Sequence, residues 1–510
     1  MLRPPRIEFL PPVHIRVFIK CNVQSRRLLS PHVYVCAAST ATTDIAVIGG
    51  GAAGLTAAYF AAASQPQLQS QSRPLRITVL EKNDEPGKKI LISGGTRCNI
   101  LPAPSQLTDI DLQRDYFFTD PRSVSPLRSI FSRWSLQECR QWIEQDIGIL
   151  LTTEPDTQKL FPASHSAREV RDKLVAACRK QGVEFMPRAS LLDLYHTNTS
   201  TVPGQEEREE NQTWTCVLED GRTVRANVVV LATGGKSFPS LGTNGIGYSL
   251  LKDDRIGHGV VHPYPALTPL RGTHPGGGSW GGGRGGERDN ERSLPGISVY
   301  NAALSVTYDV ALDDKNTDNQ FVPSVHENEN GKGASTKKKK KKRKKKVVEA
   351  ERSALLLTHR GFSGPAAMDL SHYISMHETK ARAVPPPVLT VCWVRDMKKS
   401  DWEHFFALST SMTVFNTIKS KGIPSRLVEA LLQDCTIPPN RRVAELRKEE
   451  RVRLLEALCA YALDVTGTEG YPKAEVTGGG CPYVSWTVQP WSRGRVLGQR
   501  GGGCLCVVSW

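Results

Sequence analysis

An α/β fold, opening on a parallel βαβ unit and interrupted by a β-rich insertion and a helical segment, follows from three features of the sequence. The apolar run Ile45–Ile48 enters a glycine turn, Gly49-Gly-Gly-Ala-Ala-Gly54, and a helix of small residues, Leu55–Ala63, leaves it. A second short β-branched strand, Arg76-Ile-Thr-Val-Leu80, follows, as a crossover to a parallel neighbour requires. Beyond residue 260, short apolar strands separated by polar inserts give way to three- and four-residue apolar spacing over 400–465.

The first forty residues carry six Lys/Arg against one acid, Glu8, and end in VYVCAASTATT. This composition predicts an organelle transit peptide over 1–40, cleaved near Cys36-Ala-Ala38. The small Ala/Ser/Thr-rich end favours a plastid over a mitochondrion. The alternative is a disordered extension or a misassigned start, which would leave the protein cytoplasmic.

The glycine turn has the spacing Gly49-x-Gly51-x-x-Gly54. The first glycine permits a tight turn, the second lets backbone approach a pyrophosphate, and the third lets helix and strand pack closely. The helix N-terminus beyond it offers unpaired N–H groups and a favourable dipole to phosphate. Glu81, at the end of the second strand, is placed for ribose hydroxyls and disfavours a 2′-phosphate. The competing reading is a glycine turn in an unrelated α/β protein. The flanking strand and helix favour a dinucleotide.

Helical periodicity marks 124–147 and 166–181, and 188–231 reads as strands around the turn-rich patch 203–212. Two low-complexity stretches, 275–292 and 313–346, fall between strands expected at 267–270, 297–310 and 354–358, so both are expected as disordered loops. A further strand is expected at Val388–Trp393.

The formal charge is +15, but Lys337–Lys346 alone supplies ten of these charges and the first forty residues a further five. The body of the chain is therefore near neutral. The run is read as a solvated insertion, with nuclear targeting or RNA adhesion as alternatives. The Gly/Arg stretch lacks the aromatics of an RNA-binding tract. A small-molecule substrate is expected rather than a nucleic acid. Twelve scattered cysteines without a CxxC pair argue for neither a metal site nor a disulfide framework. No run of eighteen apolar residues predicts a membrane-spanning helix.

Residues 87–99, GKKILISGGTRCN, follow from no general nucleotide-binding rule. They resemble the GKK-x-x-x-SGGG-R-C-N signature of the BaiN-like, or aminoacetone-oxidase-like, NAD(P)/FAD-dependent flavoproteins. Lys159–Pro162 with Ser164 and Ala167, Ala232–Gly235 with Ser237, Pro239 and Gly242–Tyr248, Thr358–Pro365, and Ala474–Gly480 resemble further family segments in the same order.

The resemblance implies a Rossmann-like FAD-binding domain over 41–260 and an inserted β-rich domain over 261–398. It further implies a helical subdomain over 399–473 and a return to the FAD domain over 474–510. It implies FAD contacts at Gly49, Gly51, Ala52, Ala53, Gly54, Glu81, Lys82 and Lys88. The loop residues Ser93, Gly94, Gly95, Arg97, Cys98 and Asn99 would join them, with Arg97 at a phosphate or a flavin carbonyl. Ala232, Thr233, Gly234 and Gly235 would pass beside the cofactor. Thr96 stands where the family has a third glycine. Cys98 is read as a small packed residue rather than a redox thiol. His359 is read as part of a turn, so no catalytic residue and no metal ligand is assigned.

After Gly480 the chain departs from the family, reading CPYVSWTVQPWSRGRVLGQRGGGCLCVVSW with no acidic residue. The expectation is an unspliced intron or a shifted reading frame, with a divergent tail as the alternative. The activity implied is hydride transfer between a small organic substrate and flavin, with NAD(P)H or O2 as the other partner. The alternatives are a flavoprotein of RNA modification, or a non-catalytic product lacking its last flavin-closing segment.

Overall fold

The computed structural model describes residues 40–64, 73–102, 124–155, 157–197, 213–253, 256, 258–277, 294–311, 343–379, 385–481 and 504–506. The transit peptide expected over 1–40, except Thr40, lies outside the described residues, as do 278–292 and 313–342 of the two low-complexity stretches. The chain forms two compact units. The first runs to Gly235, resumes over Ser240–Val261 and takes in residues from Gly479 onward; the second is Lys236–Pro239 with His262–Gly478.

In the first unit, β1 (Thr40–Ile48) lies between β2 (Ile77–Leu80) and β8 (Thr223–Leu231), parallel to both. The hairpin β3 (Leu151–Thr153) and β4 (Leu160–Pro162) stands apart from this sheet. β5 (Glu184–Met186) extends the sheet in parallel beyond β2. β6 (Leu191–Thr197) and β7 (Thr213–Leu218) extend it antiparallel beyond β8. Because strand side chains alternate, Val47 and Val79 enter one core while Ala46, Ile48 and Leu80 enter another across the sheet. Both faces are covered, which is why the strands read as continuous apolar runs.

The helix α1 (Ala52–Ala63) buries Leu55, Ala58 and Ala62 against the first of these cores. After it come α2 (Lys88–Ile92), α3 (Val124–Arg133) and α4 (Leu136–Gln141). The helix expected over 124–147 is broken at Trp134. Ser135 accepts from the Glu138 N–H at 3.1 Å, while Glu138 accepts from the Ser135 N–H at 2.7 Å. This capping box starts a new helix in mid-segment, and residues 142–146 then widen into a π-turn. The long α5 (Ala167–Lys180) buries Val170, Leu174 and Cys178 at four-residue spacing, and the Cys178 thiol donates to Leu55 O at 3.3 Å. A short α6 (Ile246–Lys252) buries Leu250 and Leu251 in the core of the opposite face.

In the second unit, β10 (Leu270–Thr273), β11 (Ser298–Val299), β14 (Leu355–Thr358), β15 (Gly361–Ser363) and β18 (Asp464–Thr468) form one sheet. β12 (Ala303–Ala311), β13 (Arg343–Glu349), β16 (Val388–Cys392) and β17 (Tyr461–Ala462) form another. β9 (Val261–Ala266) pairs with β19 (Val476–Gly480). The helices are α7 (Pro365–Glu378), α8 (Lys399–Leu408), α9 (Val414–Lys419), α10 (Ser425–Asp434) and α11 (Lys448–Cys459). One core runs from Tyr264 to Leu463, so the β-rich and helical segments share it.

Two expectations are corrected. Arg343–Lys346, the end of the polybasic run, is not loop but the start of β13, an edge strand whose Lys345 faces Asp309 on β12. Lysine suits an exposed edge because its charge discourages further strand pairing. The helical segment also ends at Cys459, and the β-branched stretch after it forms β17 and β18. The tail returns to the first unit. β20 (Cys504–Cys506) lies parallel to Val229–Leu231, along the half of β8 that β7, paired with Thr223–Ala226, leaves open.

His372 on α7 has its Nε2 shut from solvent, and burial pulls its pKa down to about 4, against the opposing pull of Asp369. The native state therefore holds this ring neutral while the unfolded chain takes up a proton below its ordinary value of 6.5. Its stabilising contribution is full above that value and is lost as pH falls from there towards about 4. Denaturant midpoints compared at about pH 7 and about pH 5 should fall for the native chain, and His372→Leu should reduce that fall.

Candidate functional site

The site in the first unit is built where β1 ends. Gly49 N–H donates to Leu80 O at 2.8 Å, which ties the turn to the end of β2. Gly49 stands at φ +104, and a Cβ there would lie 2.3 Å from Ala232 O. A Cβ on Gly54 would lie 1.9 Å from Gly49 O. Strand end, helix start and the Ala232 segment thus approach closer than any side chain allows. Gly51 is the opposite case. Its φ is −76°, and a Cβ there meets nothing within 4 Å.

That open face lies at the start of α1, whose N-cap Gly51 has no side-chain cap and whose first turn has no acid. The first N–H groups of a helix lack intrahelical acceptors, so those at Ala52, Ala53 and Gly54 are available to an anion. Ala52 is exposed and Ala53 half-buried. The residues therefore fit a diphosphate, since the Cβ positions of Gly49, Gly50 and Gly54 are filled while that of Gly51, at the helix start, is open.

Glu81 is buried and supports the turn directly. Its Oε2 accepts from Gly50 N–H at 2.8 Å, and its Oε1 accepts from Asn83 N–H at 2.8 Å and Asn83 Nδ2 at 2.9 Å. Two bonds fill Oε1, whereas Oε2 keeps one acceptor position for a ribose hydroxyl. Asn83 also donates to Leu241 O at 3.1 Å and accepts from Lys88 Nζ at 3.3 Å. One of the three Lys88 ammonium donors goes to Asn83, while Lys82 is exposed. Asn83 was not foreseen from sequence; its only signal is its place two residues after Glu81.

The loop 93–99 holds its shape through its own backbone. Cys98 N–H donates to Ser93 O at 2.9 Å, and the Ser93 hydroxyl donates to Ile90 O at 2.7 Å. Gly94, Gly95, Thr96 and Cys98 all have positive φ, and Asn99 is exposed. Thr96, at φ +69, is a β-branched residue in the left-handed region where the family has glycine. Its carbonyl accepts the Ala167 N–H at 2.9 Å, so the loop is docked on the start of α5.

Arg97 points to protein partners. It pairs with Glu154 at 2.6 Å, and its guanidinium stands 4.5 Å from the Phe161 ring centroid. Hydrogen bonds from Thr157 and Arg97 hold the Glu154 carboxyl below its ordinary range. Phe161 belongs to the Lys159–Pro162 motif, so two of the family-like segments meet here. Cys98 is buried, and burial pushes its thiol above the ordinary value. It stays protonated at neutral pH, as a packed residue should.

Ala232 N–H donates to Ile48 O at 2.8 Å, continuing β8 alongside β1. A Cβ on Gly247 would lie 2.4 Å from Thr233 Oγ1, which fixes α6 against Thr233. Gly234 takes φ +76, and Gly235 is buried. Gly480 sits under Tyr248, where a Cβ would come within 3.2 Å of the ring.

In the second unit, Thr477 Oγ1 accepts the N–H groups of Lys236 and Ser237 at 2.8 and 3.1 Å. This joins the segment after Gly235 to the Ala474–Gly480 motif, a role its sequence did not announce. His359 and Arg360 form the two-residue turn between β14 and β15, and Thr358 Oγ1, not His359, accepts the Arg360 N–H at 3.3 Å. Gly361 and Gly364 take φ +141 and +90 and shape the entry to α7. Among the described residues, no group of three or more His, Cys, Asp or Glu could hold a metal ion.

The sequence profile of the HI0933-like protein Rossmann domain matches residues 43–485. The chain is 26% identical over 443 residues to "Ribosomal RNA dihydrouridine synthase" of Escherichia coli (strain K12), covering 86% of this chain and 85% of that protein. It is 28% identical over 227 residues to "3-dehydro-bile acid delta(4,6)-reductase" of Clostridium scindens, covering 44% of this chain and 47% of that protein. Among solved structures, a 3-ketosteroid-delta4-(5alpha)-dehydrogenase from Rhodococcus jostii aligns over 46% of this chain and 60% of its own, at 14% identity and a TM-score of 0.30.

The glycine geometry separates two substitutions. Gly54→Ala forces a Cβ onto Gly49 O and should lower stability by about 1–3 kcal/mol, the usual range for overpacking. In Gly51→Val the added Cβ meets no protein atom within 4 Å, so the thermal midpoint should fall less than in Gly54→Ala while flavin retention is abolished. Thermal unfolding and the absorbance spectrum of each purified variant separate the two outcomes.

Proposed function

Because the chain belongs to the HI0933-like Rossmann-domain family of FAD-binding oxidoreductases, we propose that it reduces a carbon–carbon double bond conjugated to a carbonyl. The observation that carries this reading is a shared chemistry in two relatives' names. The uracil ring that becomes dihydrouridine has its C5=C6 bond conjugated to a carbonyl. The delta(4,6) unsaturation of a 3-dehydro bile acid is conjugated to its ketone in the same way. When bound, reduced flavin supplies the hydride that such a β-carbon accepts.

The chain's own residues bind and orient. The start of α1 and the open face at Gly51 hold the diphosphate, and the spare acceptor position on Glu81 holds a ribose hydroxyl. The close contacts of Gly49 with Ala232 and of Gly54 with Gly49 hold strand end and helix start together. Arg97, held by Glu154 and Phe161, orders the 93–99 loop. NAD(P)H, if it is the electron donor, would visit the flavin from the substrate side, since the sequence has no second Gly-x-Gly-x-x-Gly after a strand to hold it.

Within this chemistry, a uracil base in RNA has the stronger support, because the dihydrouridine synthase relative matches along most of both chains. The bile-acid reductase matches under half of this chain and supports a free small-molecule enone as the second reading. The exposed Lys344 and Lys345 on the edge strand β13 suit the first.

Anaerobic, flavin-reduced protein should be reoxidised on adding one substrate class, with a product two hydrogens heavier. A ribosomal RNA transcript giving dihydrouridine by nucleoside mass spectrometry supports the RNA reading. Cyclohexenone giving the saturated ketone supports the other. Reoxidation by oxygen alone, with neither product formed, contradicts the proposal.

A further inference from the structure

We infer that Cys392 and Cys459 form a dithiol in the second unit that a small-molecule disulfide converts to an intramolecular disulfide. Cys392 ends β16 and Cys459 ends α11. The backbone holds these ends together, since Trp393 N–H donates to Leu458 O at 3.1 Å and Trp393 Nε1 donates to Ala457 O at 2.9 Å. The two cysteines are the immediate chain neighbours of that backbone bond.

The side chains converge as well. They reach one shared acceptor, Met397 O, at 3.6 Å from the Cys392 sulfur and 3.9 Å from the Cys459 sulfur. Cys392 also donates to Val394 O at 3.2 Å. Both residues are half-buried, so a small reagent can reach them. Cys98, Cys178, Cys216, Cys435 and Cys481 are buried, whereas Cys139 is half-buried.

The environment distinguishes the two sulfurs. The hydrogen bond from Cys459 stabilises the Cys392 thiolate and pulls that thiol below its ordinary value, against burial and the negative charges of Glu349 and Asp396. The same bond and burial push Cys459 up, with Asp401 adding to the rise and Lys399 opposing it. Cys392 is therefore the attacking sulfur.

The exchange balances in two steps. The Cys392 thiolate attacks one sulfur of glutathione disulfide, its S–S bond breaks, and one glutathione thiolate leaves. Cys459 then loses its proton and attacks the Cys392 sulfur, forming the internal S–S bond and expelling the second glutathione. The protein loses two electrons and two protons, and the external disulfide is reduced to two thiols.

The test treats full-length protein with glutathione disulfide, quenches in acid, alkylates with N-ethylmaleimide and maps peptides by mass spectrometry. The expected result is a joined Cys392–Cys459 peptide and the loss of two alkylated thiols, with Cys139 still alkylated. Cys459→Ser should trap glutathione on Cys392, whereas Cys392→Ser should leave Cys459 alkylated as before. Equal alkylation of Cys392 and Cys459 before and after treatment would overturn the inference. So would glutathione appearing on Cys139 as readily as on Cys392. The native chain alone carries this test if a variant fails to fold.

Discussion

The first unit is organised around one close approach, where the backbone of Gly49, the start of α1 at Gly54 and the Ala232 segment meet with no room for a side chain. Gly49 needs its positive φ to turn the chain at the end of β1, and Gly54 must lack a Cβ for the helix to begin against that turn. Glu81 holds the middle of the turn through Gly50 N–H, so the ribose candidate is also a structural brace. Loss of this carboxylate would affect the turn as well as the ligand, because a buried N–H would be left unpaired.

Much of this was legible in sequence because its causes are local. Glycines at fixed spacing, an apolar strand before them and a small-residue helix after them dictate one backbone path. Ser135-x-x-Glu138 was also readable, as a capping box that breaks the helix assigned over 124–147, yet the apolar periodicity on both sides concealed it. Composition concealed β13 in the same way. Lysine suggests loop, but the pairing partner on β12 and the following Val347-Val348 carry the strand back through Arg343.

What sequence could not reveal depends on residues far apart in the chain. Arg97 was expected at a phosphate or a flavin carbonyl, and its partners within the protein, Glu154 and Phe161, lie 57 and 64 positions away. Thr477 caps Lys236 and Ser237 across some 240 residues, and Asn83 links Glu81 to Lys88 and Leu241. The pairing of Cys392 with Cys459 likewise shows in no spacing rule, since a strand end and a helix end bring them together. Long-range polar partners leave little trace in one sequence, whereas turns and caps leave a clear one.

We propose that the turn at Gly49–Gly54 binds the diphosphate of FAD in this chain. The absorbance spectrum of the purified protein tests it most directly, with released cofactor identified by mass. The expected result is a flavin band at about 450 nm, one FAD per chain, and loss of that band in a Gly51→Val chain that still folds. A folded protein that stays colourless after incubation with excess FAD would contradict it.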